Sequence, residues 1–210
     1  MNVLIVLAHP EGRSFNSAMA RVAEETLSEL GHHVVTTDLY AMEFEASSDR
    51  RNFVGADNSD RYFQQREELF AAENQGFVAT LNREMDRIKA ADLIIWQFPL
   101  WWFGLPAVLK GYVDRVFAYG VFYGGGKVYE TGVLQGKRGL ISMTTGGPRR
   151  EDPTDDPVAE ALAPIRRIQR FVGLESMEPY VTYSVSRQSE EEGAAKLEEF
   201  AAYLRSTFPG

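Results

Sequence analysis

Five aliphatic residues in succession, Val3-Leu4-Ile5-Val6-Leu7, lie near the start of the chain, with His9-Pro10 just beyond them. A short apolar run without polar alternation is covered on both faces, as in a central strand of a parallel sheet. The next parallel strand can be reached only by a crossover, so helices and strands must alternate along the rest of the chain. Val3 to Ala8 has no basic segment before it and is too short for a signal peptide, which leaves the strand reading.

The alternation continues. Ser14 is placed to cap a helix whose apolar positions Phe15, Met19, Val22, Leu27 and Leu30 fall at helical spacing, with Gly31 as its stop. Val34 to Thr37 reads as a short strand. Residues 41–75 are polar and weakly periodic, an excursion from the sheet with one helix over Arg61 to Ala72. Phe77, Val78, Leu81, Met85 and Ile88 form a helical stripe leading to the strand Leu93-Ile94-Ile95-Trp96. A helix starts at Pro106, with Leu109, Val113, Val116 and Phe117 inward. Gly124-Gly125-Gly126 precedes the strand Gly139 to Met143. Asp156-Pro157 opens a helix that Pro164 is expected to kink, and Val181 to Val185 is a last strand. Ser189 and Glu192 match a capping box before the stripe Leu197, Phe200, Ala201 and Leu204. No repeat or linker interrupts the pattern, so residues 1–210 read as one α/β domain with a doubly wound parallel sheet.

Several functions fall away on composition. A net charge of -8, with basic doublets only at Arg50-Arg51, Arg149-Arg150 and Arg166-Arg167, argues against a nucleic-acid partner. With no cysteine, disulfides, thiolate catalysis and iron–sulfur sites are excluded, and a reducing, cytoplasmic setting is allowed. Leu93 to Leu109 carries no charge, but Pro99 and Pro106 fit strand, loop and helix rather than a transmembrane span. His32-His33 reads as a solvated turn, Glu190-Glu191-Glu192 as a helix N-terminal charge run, and Asp155-Asp156 as capping acids. No metal-ligand or Ser–His–Asp spacing is present.

In a doubly wound sheet the ligand sits beyond the carboxyl ends of the strands, and three loops leave those ends here. His9-Pro10-Glu11-Gly12-Arg13-Ser14-Phe15-Asn16 joins a strand to a helix N-terminus, where free amides, Ser14, Asn16 and the cation Arg13 suit a phosphate. Neither GxGxxG nor the P-loop pattern occurs. Phe98-Pro99-Leu100-Trp101-Trp102-Phe103-Gly104 sets large aromatics after a buried strand. On an extended backbone Trp101 and Trp102 would point to opposite faces, so both cannot fill one core; one must face the mouth of the sheet or another chain, where a flat ring offers an apolar face to it. Thr144-Thr145-Gly146-Gly147 supplies hydroxyls and backbone donors that can stabilise negative charge on a reduced ring.

These segments, with Asp38-Leu39-Tyr40-Ala41-Met42, Ala91-Asp92-Leu93, Leu105-Pro106-Ala107, Lys110-Gly111 and Arg115-Val116-Phe117, resemble the NAD(P)H:quinone oxidoreductases, the DT-diaphorase group, and their bacterial quinone-reductase and modulator-of-drug-activity relatives. The likeness runs from Val3 to about Tyr183. It implies a flavodoxin-like fold: five parallel strands in the order 2-1-3-4-5, with helices on both faces. It further implies FAD rather than FMN, a homodimer with the active site at the subunit interface, and ping-pong hydride transfer from NAD(P)H to a quinone. Carried over by residue, His9, Ser14, Phe15, Asn16 and Gln64 hold the adenylate and pyrophosphate part. Pro99, Leu100, Trp101, Trp102, Phe103 and Thr144, Thr145, Gly146 and Gly147 hold the ring, and Tyr123 lies over the substrate pocket.

The likeness also has gaps. Mammalian members carry a Tyr and a His after the TTGG loop, whereas here it runs Pro148-Arg149-Arg150-Glu151-Asp152-Pro153. A second pocket tyrosine aligns with Gly125. Backbone donors at Gly146 and Gly147, or solvent, are expected to stand in for the missing relay, with Trp102, Phe103, Tyr123 and Gly146 around the substrate. Two other readings stay open on sequence: an FMN-binding one-electron carrier of flavodoxin type, and a regulatory flavin-binding subunit of a membrane transporter. The choice between NADH and NADPH, and the physiological acceptor, are not legible.

Overall fold

A computed structural model describes residues 1–55, 60–150, 152 and 156–210. Glu151, Pro153 and Asp155, named above for the loop and the helix cap, lie outside the described residues. The elements run β1 (Asn2–Leu7), α1 (Phe15–Glu29), β2 (His33–Asp38), α2 (Gln64–Asn74), α3 (Ala79–Ala90), β3 (Leu93–Pro99), α4 (Ala107–Val116), β4 (Arg138–Thr144), α5 (Pro157–Phe171), β5 (Glu175–Ser176), β6 (Tyr180–Thr182) and α6 (Glu190–Thr207).

All strand pairings are parallel, in the order β2-β1-β3-β4-β5, with β6 also paired to β4. The fifth position is thus shared by two short strands on one edge. Only the second of them overlaps the strand expected over residues 181–185.

Alternation along the strands separates two cores. Val3, Ile5, Leu7, Leu93 and Ile95 pack with Met19, Ala23 and Leu27 of α1 and Phe200 and Leu204 of α6. Leu4, Val6, Ile94, Trp96, Phe98, Ile141 and Met143 face Leu81 and Ile88 of α3, Leu109 and Val116 of α4, and Ile165 of α5. Every residue of β3 is buried, which explains why its sequence is apolar at every position but Gln97.

The expected caps are present. Ser14 accepts the Ser17 amide, Gly31 turns out of α1 at a φ of 83°, and Ser189 and Glu192 form a reciprocal capping box. Asp156 accepts the Val158 amide at the start of α5, and Pro164 sits within that helix without ending it. The excursion after β2 is more firmly held than its polar sequence suggests. Asn52 is buried, accepts from Arg115 Nε at 2.7 Å, and its carbonyl accepts the Val78 amide. The helix expected there is α2, beginning three residues late.

Candidate active site

Three crossover loops meet at the carboxyl ends of β1, β3 and β4, and a buried polar chain fixes their spacing. Gln97, on the α1 side of β3, donates to Asn16 Oδ1 at 2.8 Å, and Asn16 Nδ2 donates to Thr144 Oγ1 at 2.8 Å. All three side chains are buried. In the low-polarity interior such a chain is costly to break, since each freed partner loses a hydrogen bond it cannot recover from water. Asn16 and Thr144 therefore act in this structure as braces between loops. Gln97 was missed from sequence, although a lone amide in an otherwise apolar buried strand is the signal that could have found it.

The first loop closes on itself: His9 Nδ1 accepts the Glu11 amide at 3.1 Å, and Arg21 donates to the Gly12 carbonyl at 2.9 Å. Arg13 points into solvent beside Glu11, 3.6 Å away. The His9 ring meets the Trp101 ring at a centroid distance of 5.8 Å, joining the first loop to the second.

The second loop corrects the expectation of an extended backbone. Trp102 and Phe103 have φ of 48° and 59°, and the Gly104 amide donates to the Trp101 carbonyl at 3.0 Å, so residues 101–104 form a tight turn with two successive left-handed residues. Neither tryptophan enters the core: Trp101 is 39% exposed, Trp102 92% and Phe103 66%. Left-handed conformations cost bulky L-residues roughly 1–2 kcal/mol each. Strain of this kind persists where surrounding structure imposes it and clusters at ligand sites.

The third loop is stitched to the segment after β6. Thr145 donates from its amide to the Thr182 carbonyl, Val185 donates back to the Thr145 carbonyl, and the Ser184 amide donates to Gly147. Neither Gly146 nor Gly147 has a positive φ, and a Cβ on Gly147 would meet nothing among the described residues. Internal packing therefore does not require glycine at 147. The bare backbone borders a cleft of about 310 Å³ lined by Leu100, Trp102, Phe103, Thr145, Gly146 and Pro157.

Six backbone amides around this rim, those of Phe15, Asn16, Trp102, Phe103, Gly146 and Gly147, donate to no partner among the described residues. Two open the N-terminus of a fifteen-residue helix, where the helix dipole favours an anion. The other four flank exposed aromatic faces. Together they can hold a flat apolar ring edged with acceptors and bearing an anionic tail.

Tyr123 and Gln64 lie elsewhere in the chain. Both line a separate, largely apolar cavity of about 620 Å³ between α2, α4 and α5, with Phe117, Tyr129 and Phe171. Gln64 donates to Glu68 at 2.8 Å and to the Asp114 carbonyl at 3.3 Å. The Tyr123 ring packs edge-on against Tyr119 and at 5.5 Å from Phe171. Burial raises its phenol above the ordinary range, and a hydrogen bond from Gln65 opposes the rise. One chain thus keeps the sequence-predicted cofactor loops and substrate tyrosine in two separate hollows.

Comparison with known proteins places this geometry. The family described as the flavodoxin-like fold matches residues 1–206. The mouse ribosyldihydronicotinamide dehydrogenase [quinone] is 35% identical, over 97% of this chain and 90% of its own length. The rat NAD(P)H dehydrogenase [quinone] 1 is 37% identical over 98% of this chain and 77% of its own. A Klebsiella pneumoniae structure assigned as a quinone reductase superposes with a TM-score of 0.93 at 31% identity, over 99% of this chain and 85% of that one.

Proposed function

Because the chain belongs to the flavodoxin-like Flavodoxin_2 family, in its NAD(P)H:quinone oxidoreductase group, we propose that it is an FAD-dependent enzyme that moves a hydride from NAD(P)H to a quinone in two alternating halves. The observation that carries this reading is the strained turn at Trp102 and Phe103, which holds two aromatic side chains out of the core beside unpaired backbone amides.

A flavin fits these residues. The open amides at the start of α1, with Ser14 and Arg13 nearby, suit its phosphates. Pro99 to Phe103 offer apolar surface to the ring, and the amides of Gly146 and Gly147 can donate to its acceptor edge. When bound, a flavin supplies reversible two-electron chemistry. The chain positions the reactants, excludes water and stabilises developing charge through backbone donors that need no reorganisation. Donor and acceptor are flat and occupy the same open side in turn, which makes the kinetics ping-pong.

Tyr123 enters from a second copy. The cleft beside Trp102 is open, and the Tyr123 cavity is a largely apolar hollow. A two-fold pair that sets one against the other covers both surfaces twice over. Tyr123 then closes on the acceptor, and Gln64 reaches the nucleotide end.

The purified protein should be yellow and release FAD on denaturation. Initial rates at several fixed quinone concentrations should give parallel double-reciprocal lines against NAD(P)H. A colourless protein that cannot be reconstituted with any flavin would overturn the assignment. Release of FMN would overturn the FAD part alone.

A further inference from the structure

Adjacent glutamates of α2 meet different fates. Glu67 is buried and held by Arg50 at 3.2 Å. Glu68 is equally buried, at 2% exposure, yet no cation lies within ion-pair reach of it among the described residues. Its Oε1 accepts the Gln64 side-chain amide at 2.8 Å and its Oε2 the Tyr119 backbone amide at 2.7 Å. It lines the same apolar cavity as Tyr123, Tyr129 and Phe171. A carboxylate without a cation partner in such surroundings is disfavoured relative to its neutral form.

We propose that Glu68 is the proton donor to the acceptor. This rests on the reading above, in which the Tyr123 cavity closes over the acceptor. A quinone that receives at one carbonyl oxygen, in the second half, the hydride that the dihydronicotinamide donor gave up in the first becomes a monoanion with charge on the other oxygen. The Glu68 O–H bond breaks, the anionic oxygen gains that proton, and neutral hydroquinone leaves. The carboxylate recovers a proton from solvent, and the donor has become the oxidised nicotinamide. Two electrons and two protons reach the quinone, and none is unaccounted for.

Burial holds the Glu68 carboxyl above its ordinary range, while the Tyr119 and Gln64 donors pull the other way. The other ionisable groups around the cavity are Asp114 on α4, which is tied to Lys110, Arg167 on α5, and the phenols of Tyr123 and Tyr129. The Tyr62 phenol, ahead of α2, also lies within electrostatic reach of Glu68.

The test is Glu68→Gln. Its amide oxygen can accept the Tyr119 amide, and the Gln64 side chain can turn over to accept from its NH2, so the fold should persist. With menadione as acceptor in stopped flow, the parent's acceptor half-reaction should slow as pH rises through the Glu68 pKa and show a solvent deuterium effect. Glu68→Gln should slow that half by about 10²–10⁴-fold and flatten its pH profile, leaving the donor half unchanged. Glu68→Asp should recover part of the rate. Independently of turnover, the infrared carbonyl band of a protonated carboxyl should be present in the parent and absent in Glu68→Gln.

Equal loss in both halves would mark Glu68 as purely structural and overturn the proposal. So would an unaltered pH profile in the variant, or no such band in the parent. A parent that fails to reduce menadione sinks the proposed function itself, and this inference with it, a result distinct from the other three.

Discussion

Trp102 carries the clearest conflict between local preference and local structure. Its side chain is 92% exposed, so it contributes little burial to folding, yet its backbone is left-handed. Replacing it with Gly relieves roughly 1–2 kcal/mol of steric strain and costs about 0.5–1 kcal/mol in unfolded-state entropy. Trp102→Gly should therefore match the parent in urea denaturation to within about 1 kcal/mol, while quinone turnover falls sharply. A loss of several kcal/mol would mean the indole is packed where the structure leaves it open. The sequence reveals that two tryptophans cannot share one core. It does not reveal that neither enters it, because an expectation of extended backbone takes no account of a turn imposed by the flanking β3 and α4. Gln97 shows the reverse case: an amide inside a hydrophobic strand is easily passed over until Asn16 and Thr144 are seen on either side of it.

At the scale of elements, the contact between α4 and the excursion after β2 sets where α2 can lie. Arg115 is buried, its Nε donating to Asn52 and its terminal nitrogen to the Glu45 carbonyl, with the guanidinium over the Phe44 ring. One turn earlier, Gly111 lets the Ala46 backbone lie directly against the helix. Gly→Ala within a helix ordinarily stabilises by about 1 kcal/mol. Here the added methyl would collide with Ala46 backbone atoms that cannot rotate away, and overpacking costs about 1–3 kcal/mol. Gly111→Ala should therefore destabilise the protein by about 1 kcal/mol net, with faster amide exchange across residues 44–52. A more stable variant would refute this packing. Periodicity made β1, β3, β4 and most helices legible because each is long and buried on known faces. The split edge at β5 and β6 was hidden because strands of two and three residues carry almost no pattern. The ordering of the excursion was hidden because it depends on Arg115 and Gly111, some sixty residues away in sequence.

For the whole molecule, the parallel sheet brings one set of loops to one rim and leaves the Tyr123 cavity apart from it. The sequence located both sets of residues, but a single chain's pattern cannot say that two hollows belong to one site, since nothing within the chain joins them. If a pair completes the site, each active centre takes Trp102 from one protomer and Tyr123 from the other. Trp102→Ala and Tyr123→Ala homodimers would each then be impaired at both centres. Unfolded together and refolded, the variants should give random pairs. About half of these are mixed, and each mixed pair has one centre carrying both changes and one carrying neither. Activity should return to about a quarter of the parent's, at a mass by light scattering equal to two chains. An interface of this kind must bury on the order of 1,200–2,000 Å², so dilution should first dissociate the pair and then abolish turnover, with the circular dichroism of each protomer unchanged. Refolded mixtures no more active than the separate variants would place Trp102 and Tyr123 in different functions, and full activity at monomer mass would put the whole site within one chain.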